Sequence, residues 1–273
     1  MLQNLVLVSL LGYAALCLIV YVFQSRLVYF PEIGRELTIS PRAAGLAFEE
    51  VWLEAEGGVR LHGWYVPNAE ANGVALLLHG NAGSIALRID WLRMFHDLGY
   101  ASLVIDYRGF GRSSGSPSEQ GTYADARAAW SHLTAVRGWK ATDIVLVGES
   151  LGGAVAAQLA TSMPARALVL QSTFTSVPDL AAQIYWFLPV RWLSRFRYDT
   201  RENLARVAMP VLVAHSRDDE IVPYSHGLAL YETAPAPKAF VEMRGGHNDA
   251  FLFSRGEWVE ALGRFLASAR RAW

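Results

Sequence analysis

The sequence predicts an α/β protein: a mostly parallel, doubly wound sheet with an antiparallel start, a small helical insertion and an N-terminal transmembrane helix. Three observations carry this. From Val74 onward, short apolar runs bounded by Gly, Asp or His alternate with helical patterns, as parallel strands covered on both faces do. Before them, Phe48–Ala55 and Val59–Val66 flank Gly57-Gly58 as an antiparallel hairpin. At the N-terminus, no charged side chain occurs from Met1 to Ser25.

The elements follow in chain order. Leu5–Phe23 is almost wholly apolar, and as a helix it would span about 28 Å, close to the hydrocarbon thickness of a bilayer. A cleaved signal peptide fits less well, because the run is long, no Lys or Arg precedes it and no small-x-small site follows. A buried core helix would carry a polar face. Residues 1–25 therefore read as an anchor, 26–45 as a neck punctuated by Pro31, Gly34 and Pro41, and 46–273 as one domain. Arg26, Arg35 and Arg42 follow the anchor, which by the positive-inside bias puts the domain on the cytoplasmic side.

Strands are expected at Val74–Leu78, Ser102–Ile105, Ile144–Val147, Ala167–Leu170, Val211–Ala214 and Ala239–Met243. Helices are expected at Ile85–Leu98, Tyr123–Val136, Leu151–Ser162, Tyr224–Glu232 and Glu257–Ala269. Residues 172–207 break the alternation. They hold two aromatic, Pro-marked helical pieces, around Tyr185–Leu188 and Trp192–Phe196, where a lid would sit.

Composition removes several classes. Of 273 residues, 52% are hydrophobic and 18% charged, below the roughly 25% charged of an ordinary soluble domain, which excludes a disordered chain. A net charge of −1 gives no basic footprint for nucleic acid. Cys17 stands alone, excluding an intrachain disulfide framework and a cysteine-based zinc site.

The chemistry concentrates in Gly148-Glu149-Ser150-Leu151-Gly152. It is a G-x-S-x-G turn between a strand run and a strong helix former, which holds a serine strained and exposed. The glycines are needed where neighbouring chains approach the turn. A serine hydroxyl needs a base and the base an orienting acid, in this architecture in the chain order Ser, acid, His. His247, in Gly245-Gly246-His247-Asn248-Asp249, is the expected base, because His226 sits within a helical pattern and His215 comes too early. The acid follows Val211–Ala214: Asp219 is favoured, Asp218 is the reserve and Glu220 ranks third. Oxyanion donors are expected from the backbone N–H of Leu151 and of Asn81, with Ala82 as the alternative, in the Gly-rich loop His79–Ser84. Asp106–Ser113 reads as a structural loop, and Asp125 and Glu149 as paired or capping residues.

The set Leu78–Ser84, Asp106–Gly111, Gly148–Gly153 and Gly246–Asp249, with the neck Gln24–Pro31, resembles the αβ-hydrolase superfamily, and within it the membrane-anchored αβ-hydrolase-domain serine hydrolases. The likeness runs along essentially the whole chain. It implies Ser150 as nucleophile, Asp219 as acid, His247 as base, and ester-type substrates such as acylglycerols, lysophospholipids, thioesters or small carboxylic esters. Such sequence domains are often called serine aminopeptidase-like, but no acidic pair is placed to hold a peptide α-amino group.

The function expected is a membrane-anchored serine hydrolase of carboxylic esters or thioesters bearing an acyl chain, working through an acyl-enzyme with no metal or organic cofactor. Its partners would be a lipid ester substrate and the membrane. Two alternatives stand beside it: a peptidase or amidase with the same triad, and a catalytically silent, membrane-tethered binding protein.

Overall fold

Runs that are apolar on both faces make the middle of a sheet, and here they do. The computed structural model describes residues 1–271. Eight strands, β1 Glu49–Ala55, β2 Val59–Val66, β3 Val74–Leu78, β4 Ala101–Ile105, β5 Ile144–Glu149, β6 Ala167–Gln171, β7 Val211–Ser216 and β8 Lys238–Met243, form one sheet in the order β1-β2-β4-β3-β5-β6-β7-β8. β1, β2 and β4 pair antiparallel and every pairing from β4 to β8 is parallel. β3, β4, β6 and β7 are buried throughout.

Alternate strand residues feed two cores. Leu76, Leu78 and Leu146 pack with Leu151 and Val155 of α4 Leu151–Ala160. Leu77, Val145 and Val147 pack with Trp91 and Phe95 of α2 Ile89–Asp97 and with Trp258 and Leu262 of α10 Arg255–Arg271. α3 Glu119–Ser131 lies on the first face. α8 Tyr224–Thr233 joins β7 to β8, and α9 Ala250–Phe253 precedes α10. Between β4 and β5 the chain crosses from one side of β3 to the other, so the carboxyl ends of β3 and β5 flank the switch point where open α/β sheets bind ligands.

Several boundaries differ from the sequence reading. The expected helix at Ile85–Leu98 opens with a 3-10 turn, Ile85–Arg88. The expected helix at Tyr123 starts at Glu119, because Ser118 Oγ accepts from the Gly121 N–H at 3.1 Å and caps it. Within residues 172–207 the helices are α5 Val177–Ile184, α6 Val190–Leu193 and α7 Thr200–Leu204. Tyr185–Leu188 is the turn between α5 and α6 rather than a helix centre. α5 is fixed instead by its Ser176 cap, which accepts from Asp179 N–H at 3.1 Å, and by Pro178 in the first turn.

α1, Leu2–Val28, is 27 residues long and contains an 18-residue stretch with a mean hydropathy of 2.6, long and apolar enough to cross a membrane. It passes Ser25 and docks on the domain. Cys17, Val20 and Val28 are half-buried and Gln24 is buried, while the rest of the helix is exposed; these four share one helical face. Gln24 donates from Nε2 to the Leu193 carbonyl at 2.7 Å and accepts at Oε1 from the Arg195 N–H at 2.8 Å. Farther toward the N-terminus, the Tyr13 hydroxyl donates to the Phe187 carbonyl at 2.8 Å.

Candidate active site

Ser150 sits at the switch point with φ +51° and ψ −120°, a conformation that L-residues hold only when the surroundings enforce it. The enforcement is visible. The Ser150 N–H donates to the Gln171 carbonyl at 2.9 Å, and the Thr173 hydroxyl donates to the Ser150 carbonyl at 2.6 Å. A Cβ on Gly148 would land on the Gly152 carbonyl, and one on Gly152 would land on the Leu78 carbonyl. The glycines flanking the turn are thus required by backbone contact across it.

His247 Nε2 lies 3.1 Å from Ser150 Oγ. Its Nδ1 lies 2.8 and 3.0 Å from the two oxygens of Asp219, so the ring donates from Nδ1 and offers Nε2 to the hydroxyl. Asp219 is buried and Asp218 exposed, and only the former reaches the ring. Its Oδ1 also accepts from the Ile221 and Val222 N–H groups at 3.0 and 2.7 Å. Burial works to raise the Asp219 pKa, but hydrogen bonds from His215, His247 and the Val222 amide, with the His247 charge, hold it well below the usual carboxylate range. Burial works to lower the His247 pKa, yet the Asp219 hydrogen bond and charge raise it above its ordinary 6.5.

Two supports escaped the sequence. His215, read as misplaced, lies 3.4 Å from Asp219 Oδ2 and 2.8 Å from the Val222 carbonyl, bracing the acid from behind. Glu220, ranked third as an acid, accepts from the His247 N–H at 2.9 Å and fixes the loop that carries the base. Neither position carries a local signal: the Glu220 contact forms only when the two loops meet, and His215 reaches Asp219 and Val222 only once its own loop folds back on the strand end. His226 is buried among Thr175 and Gln183.

On the other side of Ser150, His79 is fully buried, and its Nδ1–H donates to the Gly80 carbonyl at 2.7 Å. Burial lowers its pKa to about 4, so a neutral ring holds the turn. Asn81 lines the cavity with Ser150 and Leu151, and its carbonyl accepts from the Phe30 N–H at 2.9 Å in the bridge that pairs Phe30 with Ala82. Leu151 opens α4, where backbone N–H groups have no acceptor within the helix. Below the turn Glu149 pairs with Arg88 at 2.8 Å. Asp125 pairs with Arg108 at 2.7 Å, and Asp106 accepts from the Ile85 N–H at 2.9 Å, as structural roles require.

Comparison with known proteins agrees with this architecture. Residues 74–209 match the family model described as the alpha/beta hydrolase fold. Alpha/beta hydrolase domain-containing protein WAV2 of Arabidopsis thaliana is 36% identical over 260 residues, covering 86% of this chain and 84% of its own.

The chain belongs to the alpha/beta hydrolase family.

An uncharacterized membrane protein of Saccharomyces cerevisiae, YNL320W, is 32% identical and covers 87% of each chain. Among solved structures, a Pyrococcus furiosus esterase superposes with a TM-score of 0.75 at 20% identity, over 88% of this chain and 97% of that one.

In this alpha/beta hydrolase, Ser150 opens into a cavity of about 300 Å³ lined mainly by apolar groups. Phe174, Val177, Leu180 and Ile184 contribute from the insertion, Ile221 and Val222 from the acid loop, and Val20, Gln24, Leu27 and Val28 from α1. That the N-terminal helix reaches the site was not anticipated. A larger concavity, about 530 Å³, lies between β8 and α10 among Pro210, Lys238 and Phe265. It contains none of the residues around Ser150.

Proposed function

We propose that this alpha/beta hydrolase is a membrane-anchored serine hydrolase of carboxylic esters or thioesters that carry an apolar acyl chain. The observation that carries the reading is the chain Ser150 Oγ, His247 and Asp219 at 3.1 and 2.8 Å, opening from a strained turn into an apolar cavity. Ser150 Oγ attacks the acyl carbon while His247 Nε2 takes its proton, and Asp219 holds the imidazole tautomer. The Leu151 and Asn81 N–H groups receive the oxyanion. Collapse breaks the bond to the alcohol or thiol, which leaves with the proton from His247. A water, deprotonated by His247, then attacks the acyl-serine, releasing the acid and returning the proton to Ser150.

The esterase fold neighbour and the aliphatic lining support an ester class. The yeast relative's description as a membrane protein and the length and hydropathy of α1 support the anchor. Arg26 in the last turn of α1, with Arg35 and Arg42 beyond it, supports a cytoplasmic domain. Fluorophosphonate labelling of the full chain in detergent tests the reading: wild type labels, and Ser150→Ala and His247→Ala do not. A folded wild type that takes no label would overturn it, and protease protection of sealed vesicles reports the side.

A further inference from the structure

A helix that merely tethers a domain leaves it through a flexible connection. α1 does not. Of its residues, Val20, Gln24, Leu27 and Val28 face the Ser150 cavity, a spacing of four, three and one that keeps them on one helical face. The Val28 carbonyl accepts from Asn81 Nδ2 at 2.8 Å, so the C-terminal end of the helix lies beside the serine. Val20 lies eight residues back, about 12 Å along the axis. The cavity therefore runs from Ser150 along the helix in the direction of the bilayer.

The insertion follows the same course. Gln24 grips Leu193 and Arg195, and Tyr13, about 16 Å farther along the axis from Gln24, grips Phe187. At this tip Trp186 is 81% exposed and Phe187 is also exposed, and Trp192, next to the Leu193 that Gln24 grips, is 92% exposed. A carbonyl at that depth in lipid needs a protein donor, and the Tyr13 hydroxyl supplies one. The Tyr13–Phe187 contact brings this exposed aromatic tip to the exposed apolar surface of α1, and a bilayer is the occupant that covers both.

We propose that α1 is a wall of the acyl site as well as an anchor: the acyl chain of a membrane-resident ester enters sideways from the leaflet, between α1 and the aromatic tip, and lies along Val20–Val28 with its carbonyl at Ser150. This rests on the serine-hydrolase reading and names its substrate class, an ester whose chain already resides in the bilayer.

The test uses the full chain in phosphatidylcholine nanodiscs, with p-nitrophenyl acetate and p-nitrophenyl decanoate. In wild type, kcat/KM for decanoate exceeds that for acetate at least tenfold. Val20→Trp, which fills the far end of the groove, lowers that ratio at least tenfold, while Leu5→Trp, on the exposed N-terminal part of α1, leaves it within twofold. A folded Val20→Trp protein with the wild-type ratio would reduce α1 to a tether and overturn the inference, as would a wild type that prefers acetate. A wild type that neither hydrolyses an ester nor takes a fluorophosphonate removes the hydrolase reading itself, a different failure. Wild-type protein labelled with a long-chain alkyl fluorophosphonate bearing a terminal diazirine gives an answer independent of any variant. Photolysis should crosslink peptides of α1, and crosslinks confined to other elements would count against the proposal.

Discussion

Asp219 holds His247 through both carboxylate oxygens, at 2.8 and 3.0 Å from Nδ1, while its neighbour Asp218 points into solvent. Adjacent carboxylates of identical chemistry therefore have unequal consequences. Asp219→Asn should lower kcat on an ester substrate by about 10⁴-fold, because the amide favours the wrong imidazole tautomer. Asp218→Asn should stay near wild type. Equal losses in both variants, measured on folded protein, would argue against the assignment.

The same pair sets a pH dependence. In the proposed mechanism His247 must be neutral at Nε2 to accept the serine proton, and its pKa is raised above 6.5 by Asp219 in spite of burial. Activity should therefore fall as pH drops through a midpoint above 6.5 and level off on the alkaline side. The stability contribution has the matching sign. The Asp219 pKa is depressed in the folded state, so its share is present at neutral pH and is lost as pH falls below the ordinary carboxylate range. A pH–kcat/KM profile whose acid limb lies at or below pH 6 would contradict this.

Gly152→Ala tests the turn rather than the triad. Its Cβ would collide with the Leu78 and His79 carbonyls, backbone that cannot step aside as a flexible side chain can. The expected cost is about 3 kcal/mol, seen as a Tm roughly 6–10 °C lower, with esterase activity lost alongside. Gly256→Ala, at a position with open space around it, is the matching control and should leave Tm unchanged.

Arg108 and Asp125 offer a test away from the site. Asp125 is fully buried, and Arg108 supplies it with side-chain donors at 2.7 and 2.9 Å and a backbone donor at 2.8 Å. Arg108→Leu should destabilise by about 3–5 kcal/mol in urea titration, since it strands a buried carboxylate. The double variant Arg108→Leu/Asp125→Leu should recover part of the loss. If the double variant is no more stable than the single, stranded charge is not the cause.

What the sequence discloses here is what a single turn or strand demands of its own residues. Gly148, Ser150 and Gly152 could be read because a tight strand-to-helix turn tolerates few residue types. The buried strands could be read because a strand covered on both faces has no polar alternation. The work of His215 and Glu220 could not be read, since Glu220 acts on a backbone group of another loop and His215 meets Asp219 only through the fold of the loop between them. Asp219 and Asp218 could be ranked but not separated by pattern, because burial at adjacent positions of a loop is decided by packing. Gln24 was a missed signal. A long amide that follows an apolar run directly implies a polar partner, and here the partner is the backbone of the insertion.

The stripe Cys17, Val20, Gln24 and Val28 on α1 has one more consequence. A swivelling leash raises the local concentration of an enzyme near a surface and leaves its attitude random. A helix keyed into the body along one face removes the swivel, so that wherever α1 is embedded, the tilt and height of Ser150 above that plane are set with it. Under the proposed function, the protein would then discriminate among reactive bonds by altitude: one lying at the serine's height would be within reach, and a chemically identical bond a few ångströms higher or lower would not.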